Sequence, residues 1–222
     1  METVFMRTLL YRAAAGILLA VVIMGVTGCA RSREEQMLVY MEEKYGESFE
    51  MIGSYAGQIG KDYTMALVRS FNRPQDQALV RLTHRKEEEV YQDNYLAYLL
   101  KEKIEAVLLE DASEIYGECK VIYKVPYLVF PETFGPDMGA EAFLKQKEAG
   151  VQIFIYPKSG CENQIRNQEA FEMRIRQKGY RISGVVSYPK SEEMYQRISG
   201  RNISRDGYLG YEAIAESTFF VP

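Results

Sequence analysis

The sequence predicts an α+β domain, a mainly antiparallel sheet with helices packed on one side, preceded by a signal peptide outside the fold. Three observations predict it. Short runs of alternating apolar and polar residues are joined by brief turn clusters, the pattern of an antiparallel meander. Longer runs with apolar residues three and four apart intervene, bounded by helix-end residues. Neither an internal repeat nor a doubly wound alternation of strand and helix is present.

Composition narrows the class further. With 47% hydrophobic and 26% charged residues, the chain is neither a disordered tail nor a multi-span membrane protein. Its 27 Lys+Arg against 31 Asp+Glu give a net charge of −4, so no general basic field exists and no nucleic-acid partner is expected.

Residues 1–28 read as the export signal. Arg7 and Arg12 precede an apolar run over 13–27. At 15 residues this run is short of the ~20 needed to cross a bilayer and fits a signal h-region. The arginines keep the N-terminus inside and send the rest across. The segment 29–32 then reads as a tether, and 33–222 as one α+β domain.

The domain elements follow in order. Ser32-Arg33-Glu34-Glu35 fits a capping box, and Met37, Leu38, Met41 and Tyr45 make one stripe before Gly46, which predicts a helix over 33–45. Alternation predicts strands over 49–55, 63–71 and 78–84, separated by Gly57–Asp62 and Asn72–Asp76. Leu96, Leu100, Ile104, Val107 and Leu108, with Tyr91, Tyr95 and Leu99 beside them, predict a long helix over about 88–112; Lys101 and Glu105 lie i,i+4 on its outside. Cys119–Val125 alternates as a strand. The stretch 131–139, with two Pro and two Gly, is read as a loop within a continuous sheet in preference to a subdomain boundary. Then come a helix at 140–148, a strand at 151–157, a helix at 166–178 ended by Gly179, a strand at 182–188, a helix at 191–198 and a strand at 212–221.

The apolar run ends in Val26-Thr27-Gly28-Cys29. This resembles the lipobox of bacterial lipoproteins. The resemblance implies that the Cys29 thiol carries a diacylglyceryl group and that the mature chain begins there, held in the membrane by two or three acyl chains. Ala30 follows, not the Asp that retains such proteins at an inner membrane. An uncleaved signal anchor would instead leave Cys29 an ordinary juxtamembrane thiol. A plain secretory signal fits less well, because Val26-Thr27-Gly28 is a poor Ala-x-Ala site. Cleavage before Cys29 removes two arginines and one glutamate, so −4 becomes −5, and 222 less 28 leaves 194 residues, enough for a core without staples. The four-residue tether reaches roughly 14 Å. It holds the domain near the headgroups, with Arg31 and Arg33 either near anionic lipid or simply solvated. Tyr40-Met-Glu-Glu-Lys-Tyr-Gly-Glu-Ser-Phe49 is similar to a segment in uncharacterised small lipoproteins of Gram-positive bacteria, where a helix leads into a strand; the likeness carries no catalytic motif.

No residue set declares an activity. His84 is the single imidazole and shares a strand face with Ala78, Val80 and Leu82, the usual place of a core or rim histidine. One His without a Cys-x-x-Cys does not make a zinc site. Cys119 and Cys161 either form a disulfide, if their strands are neighbours, or remain separate thiols. Glu87-Glu88-Glu89 reads as acids complementing a helix N-terminus. Glu132 and Asp137 share a loop but lack the pattern of a calcium site. Gly53, Gly57 and Gly60 form no phosphate cradle, and no cofactor is expected. Arg166, Arg174, Arg176, Lys178 and Arg181 make the one basic stretch, read as a solvated helix face before an anionic-polymer site. Asn202-Ile203-Ser204 matches a glycosylation sequon, set aside because the lipobox implies a bacterial host. The 17 Tyr, among them Tyr91, Tyr95 and Tyr98, read chiefly as core or rim.

The expectation is a lipid-anchored module on the extracytoplasmic face of the cell membrane that binds a protein or envelope component. The alternative is an envelope hydrolase using a carboxylate pair. A solute carrier is disfavoured, since 194 residues is small for a two-lobed clamp. The anchor is testable: Cys29→Ala is predicted to keep residues 1–28 and lose acylation. A variant still membrane-bound and still lacking residues 1–28 contradicts the lipobox reading.

Overall fold

The computed structural model describes residues 32–56, 62–85, 88–200 and 213–222. Cys29, Glu87 and the Asn202 sequon lie outside the described residues. None of the described helices is long and apolar enough to cross a membrane.

The chain begins with α1 (Arg33–Tyr45). Its capping box is formed: Glu35 N–H donates to Ser32 Oγ at 3.2 Å, and Ser32 N–H to Glu35 Oε2 at 3.1 Å. Gly46, at φ 68°, turns the chain out of the helix. Four strands follow: β1 (Phe49–Ala56), β2 (Tyr63–Ser70), β3 (Ala78–Arg85) and β4 (Glu88–Asp93). They make sheet A, antiparallel throughout, in the order β1-β2-β3-β4. Met37 and Met41 of α1 pack with Phe49, Ala66, Val68, Val80 and Leu82.

α2 (Tyr95–Tyr116) then leads to sheet B. Its strands are β5 (Cys119–Lys124), β6 (Val151–Pro157), β7 (Ile182–Pro189) and β8 (Ala213–Val221), in that order. β6 and β7 are parallel, which requires a crossover. α4 (Gln164–Lys178) supplies it, after the short α3 (Ala140–Leu144) between β5 and β6. α2, α3 and α4 bury Ile104, Leu108, Phe143 and Phe171 with Val121, Ile153 and Phe219. On the opposite face Phe154 and Tyr156 pack with Ile198, which ends α5 (Glu192–Arg197). Lys120, beside Val121 but facing away, donates to the carbonyls of Tyr195 and Ile198 at 2.7 and 2.9 Å and so caps α5.

The α+β architecture is as expected, with two corrections. The sheet is not continuous. It divides at α2, and the 131–139 loop belongs to the sheet B core, where Phe130 and Phe134 stack at 5.2 Å and both meet Phe143 edge-on. The long helix does not begin at 88. Glu88–Asp93 is β4, paired with β3 from Arg85↔Glu88 to Val80↔Asp93. Tyr91 therefore fits a helical stripe in sequence and a sheet face in space. Glu88 and Glu89 accordingly complement no helix terminus.

At the start of α2 the N-cap Asn94 makes no capping bond with its side chain; Asp93 Oδ1, one residue earlier, accepts the Tyr95 N–H at 2.9 Å. Asn94 holds two neighbours: its Oδ1 accepts the Leu79 N–H and its Nδ2 donates to the Pro126 carbonyl. The Asp93 carboxylate also accepts Tyr45 OH at 2.6 Å, Lys44 Nζ at 2.7 Å and Tyr40 OH at 2.8 Å. One carboxylate, 1% exposed, thus joins α1, β4 and α2.

Removing a partner from a buried, fully bonded ion pair is strongly destabilising. Asp93→Ala is predicted to cost about 3–5 kcal/mol, leaving the Lys44 charge without its counter-ion and two phenols without their acceptor. Asp93→Asn, which keeps an acceptor for the Tyr95 N–H, is predicted to cost less. Urea unfolding of both variants checks this; a loss under about 1 kcal/mol for Asp93→Ala contradicts the role given to the carboxylate.

Candidate functional site

A groove of about 550 Å³ lies between α1 and β4, lined by Gln36, Val39, Tyr40, Glu43, Glu89 and Tyr91. Helical spacing puts Gln36, Tyr40 and Glu43 along one face of α1. Strand alternation puts Glu89 and Tyr91 on one face of β4. The Tyr40 and Tyr91 rings stack across the junction, 5.0 Å apart and 21° from parallel. Lys44 Nζ lies 5.3 Å from the Tyr40 ring centre and donates to Tyr40 OH at 2.9 Å.

The hydrogen bonds fix the walls. Tyr91 OH donates to Glu89 Oε2 at 2.9 Å, and Tyr91 N–H donates to Glu132 Oε1 at 3.2 Å. That second bond ties the 131–139 loop to the edge of sheet A. Gln36 Oε1 is buried without a partner among the described residues. Burial, then the Asp93 charge, raises the Tyr40 phenol well above its ordinary pKa. Burial and the bond to Glu89 push Tyr91 up to about 12. Both phenols are therefore neutral donors at physiological pH.

The expected residues are distributed elsewhere. His84 lies across the ladder from Glu89, with Nδ1 3.6 Å from Glu89 Oε1 and a buried Nε2 that makes no hydrogen bond among the described residues. That is a rim histidine beside a carboxylate, with no hydroxyl or thiol activated by it. β5 and β6 are neighbours, as a bridge requires, yet Cys119 and Cys161 are free thiols. Cys119 is buried with Ser113 Oγ at 3.7 Å, and burial raises its pKa. Cys161 opens the short 3₁₀ turn Cys161–Asn163, beyond the end of β6. Glu132 serves Tyr91, Asp137 is exposed, and no group of three or more metal-ligating side chains occurs among the described residues.

The basic stretch is largely paired within the fold. Arg174 Nε donates to Asp111 Oδ1 at 2.5 Å and its terminal nitrogens hold Glu114, while Lys178 also reaches Asp111. Asp111 is fully buried on α2. Arg176 pairs with Glu172. Two further clefts exist: one of about 400 Å³ beside Ile115, Arg166 and Met173, and one of about 290 Å³ beside Lys147, Arg181 and Phe220. Neither Asp93 nor Asp111 lines any of the three clefts.

Sequence reasoning missed the groove, since Tyr40 and Tyr91 meet only through the fold. It missed Asp93 too, although Asp93-Asn94 is itself a helix-start signal. Asp111 was visible in principle, as the acidic member of the stripe Ile104, Leu108 and Asp111.

The buried phenols predict an alkaline limit. Tyr40 and Tyr45 have pKa values raised in the folded chain, by burial and then by Asp93. Their stabilising contribution is complete below the unfolded value of about 10 and is lost as pH rises beyond it. Melting temperature is predicted to hold up to pH 10 and fall steeply above it, less steeply in Tyr45→Phe, which is weaker at pH 7. Equal slopes for the two proteins contradict this.

No family model matches the chain, and no curated protein matches it. Among solved structures it is similar to a DUF5037 family protein from Ruminococcus gnavus ATCC 29149, at 16% identity and a TM-score of 0.40, over 74% of this chain and 78% of that one. At that score the likeness carries no conclusion about fold or function.

Proposed function

We propose that the protein is a lipid-anchored module on the extracytoplasmic face of the cell membrane that binds a protein or envelope component through the groove between α1 and β4. The groove supports this reading: two stacked phenols flanked by Glu43 and Glu89 fit a cationic group on a partner, by ion pairing and by cation–π contact. Its position supports it as well, because α1 is the helix that follows the tether.

Hydrolysis by carboxylates calls for a convergent pair facing a cleft. Among the described residues the two buried carboxylates are committed to cations, Asp93 to Lys44 and Asp111 to Arg174 and Lys178, while the pair that does line a cleft, Glu43 and Glu89, is exposed, with Glu89 already accepting from Tyr91 OH. That favours the binding reading over the hydrolase.

The test is photo-crosslinking in intact cells. A photoreactive residue at Val39, inside the groove, is predicted to capture a discrete partner, and Glu43→Gln with Glu89→Gln to reduce the adduct severalfold. The comparison position is the exposed Met173. The same adduct from Met173, or an adduct indifferent to the two glutamates, contradicts the groove as the binding site.

A further inference from the structure

We propose that the end of sheet A beside the start of α1 rests on the lipid surface through the sheet face turned away from α1; this rests on the lipid-anchor reading. The described chain begins at Ser32, three residues after Cys29. The capping box holds Ser32, and Arg33 Nη1 donates to Thr64 Oγ1 of β2 at 3.3 Å. Thr64 pairs with Ala56 of β1 and Leu82 of β3. The chain therefore enters at the Ala56–Tyr63 end of the sheet. The other end of α1, with Lys44 and Tyr45, lies at Asp93, about 20 Å along the helix. A tether of roughly 14 Å brings the first end to the headgroups and leaves the second away from them.

The residues at that end suit an interface. α1 packs on the face carrying Ala66, Val68, Val80 and Leu82. The alternate residues, Tyr63, Met65, Arg81, Thr83 and Val90, lie on the other face, with Met65 directly between Tyr55 and Arg81, whose guanidinium donates to Gln92 and offers a cation to anionic headgroups. Tyr55 is 53% exposed and Ile52, at the bulge between Met51 and Gly53, is 40% exposed. Tyrosine and isoleucine at an anchored edge match the interfacial belt, where a phenol sits among headgroups and an aliphatic chain lies just below. β1 is also an edge strand, so its outer backbone faces outward with them.

The chain has no Trp, so one introduced Trp reports its own depth. Mature protein is purified from membranes as Tyr55→Trp, as Ile52→Trp, or as Phe71→Trp; Phe71 is 63% exposed just beyond the far end of β2. Each is reconstituted into phosphatidylglycerol–phosphatidylcholine vesicles with brominated chains. Emission from positions 55 and 52 is predicted to fall about two-fold or more relative to unbrominated vesicles, while emission from position 71 is unchanged. Mass spectrometry of the same samples reads the acyl adduct on Cys29. Acylated protein with equal quenching at 55, 52 and 71 overturns the orientation and leaves the anchor standing. Protein without the adduct overturns both.

Discussion

A single buried carboxylate, Asp93, makes one body of the first half of this protein. It receives two phenols and an ammonium from α1 and a backbone N–H from the first turn of α2, all within 2.6–2.9 Å. Without it the Tyr45 and Tyr40 hydroxyls and the Lys44 ammonium, all partly buried, would lose their shared acceptor, and Lys44 would keep only Tyr40 OH among the described residues. The aromatic side chains around it follow from that demand. Tyr45 meets Tyr95 edge-on at 5.0 Å, and Phe49 does the same. Tyr95 OH in turn donates to Glu47 at 3.0 Å, just after the end of α1.

α2 carries the consequence to sheet B. Tyr95 belongs to the core of sheet A, and the next residues, Leu96, Ala97 and Leu100, belong to the other core. A helix of 22 residues spans about 33 Å, long enough to serve both. It also protects an edge. β5 ends sheet B, and the backbone of Tyr123 on it is matched by α2 side chains: Glu105 accepts its N–H at 2.9 Å and Lys101 donates to its carbonyl at 2.9 Å. Asp111, lower on α2, fixes α4 through Arg174 and Lys178. Buried acids thus mark two of the places where α2 joins neighbouring elements.

Elements whose signals are local were legible in the sequence. Ser32 and Glu35 specify the start of α1 within four residues, and Gly46 and Gly179 end helices by left-handed turns. The alternation of β2 and β3 is visible because one face of each is buried. What was not legible depends on residues distant in the chain. Tyr91 satisfies helical and strand spacing equally, and only the ladder to Leu82 decides between them. The division into two sheets turns on which strands α2 separates, while the Pro- and Gly-rich 131–139 segment, a plausible boundary by composition, is pinned by Phe130 and Phe134. The groove joins residues about fifty positions apart, Tyr40 and Tyr91, so no spacing rule announces it.

In the proposed anchoring the load falls on a helix tied to its sheet by Asp93 at one end and by Arg33 to Thr64 at the other. Native-state hydrogen exchange of the α1 amides tests that unity most directly. The account predicts that the amides of Met37–Tyr45 open only with those of β2 and β3, at the free energy of global unfolding. Exchange of α1 as a separate unit, at an opening free energy far below that of β2 and β3, would contradict it.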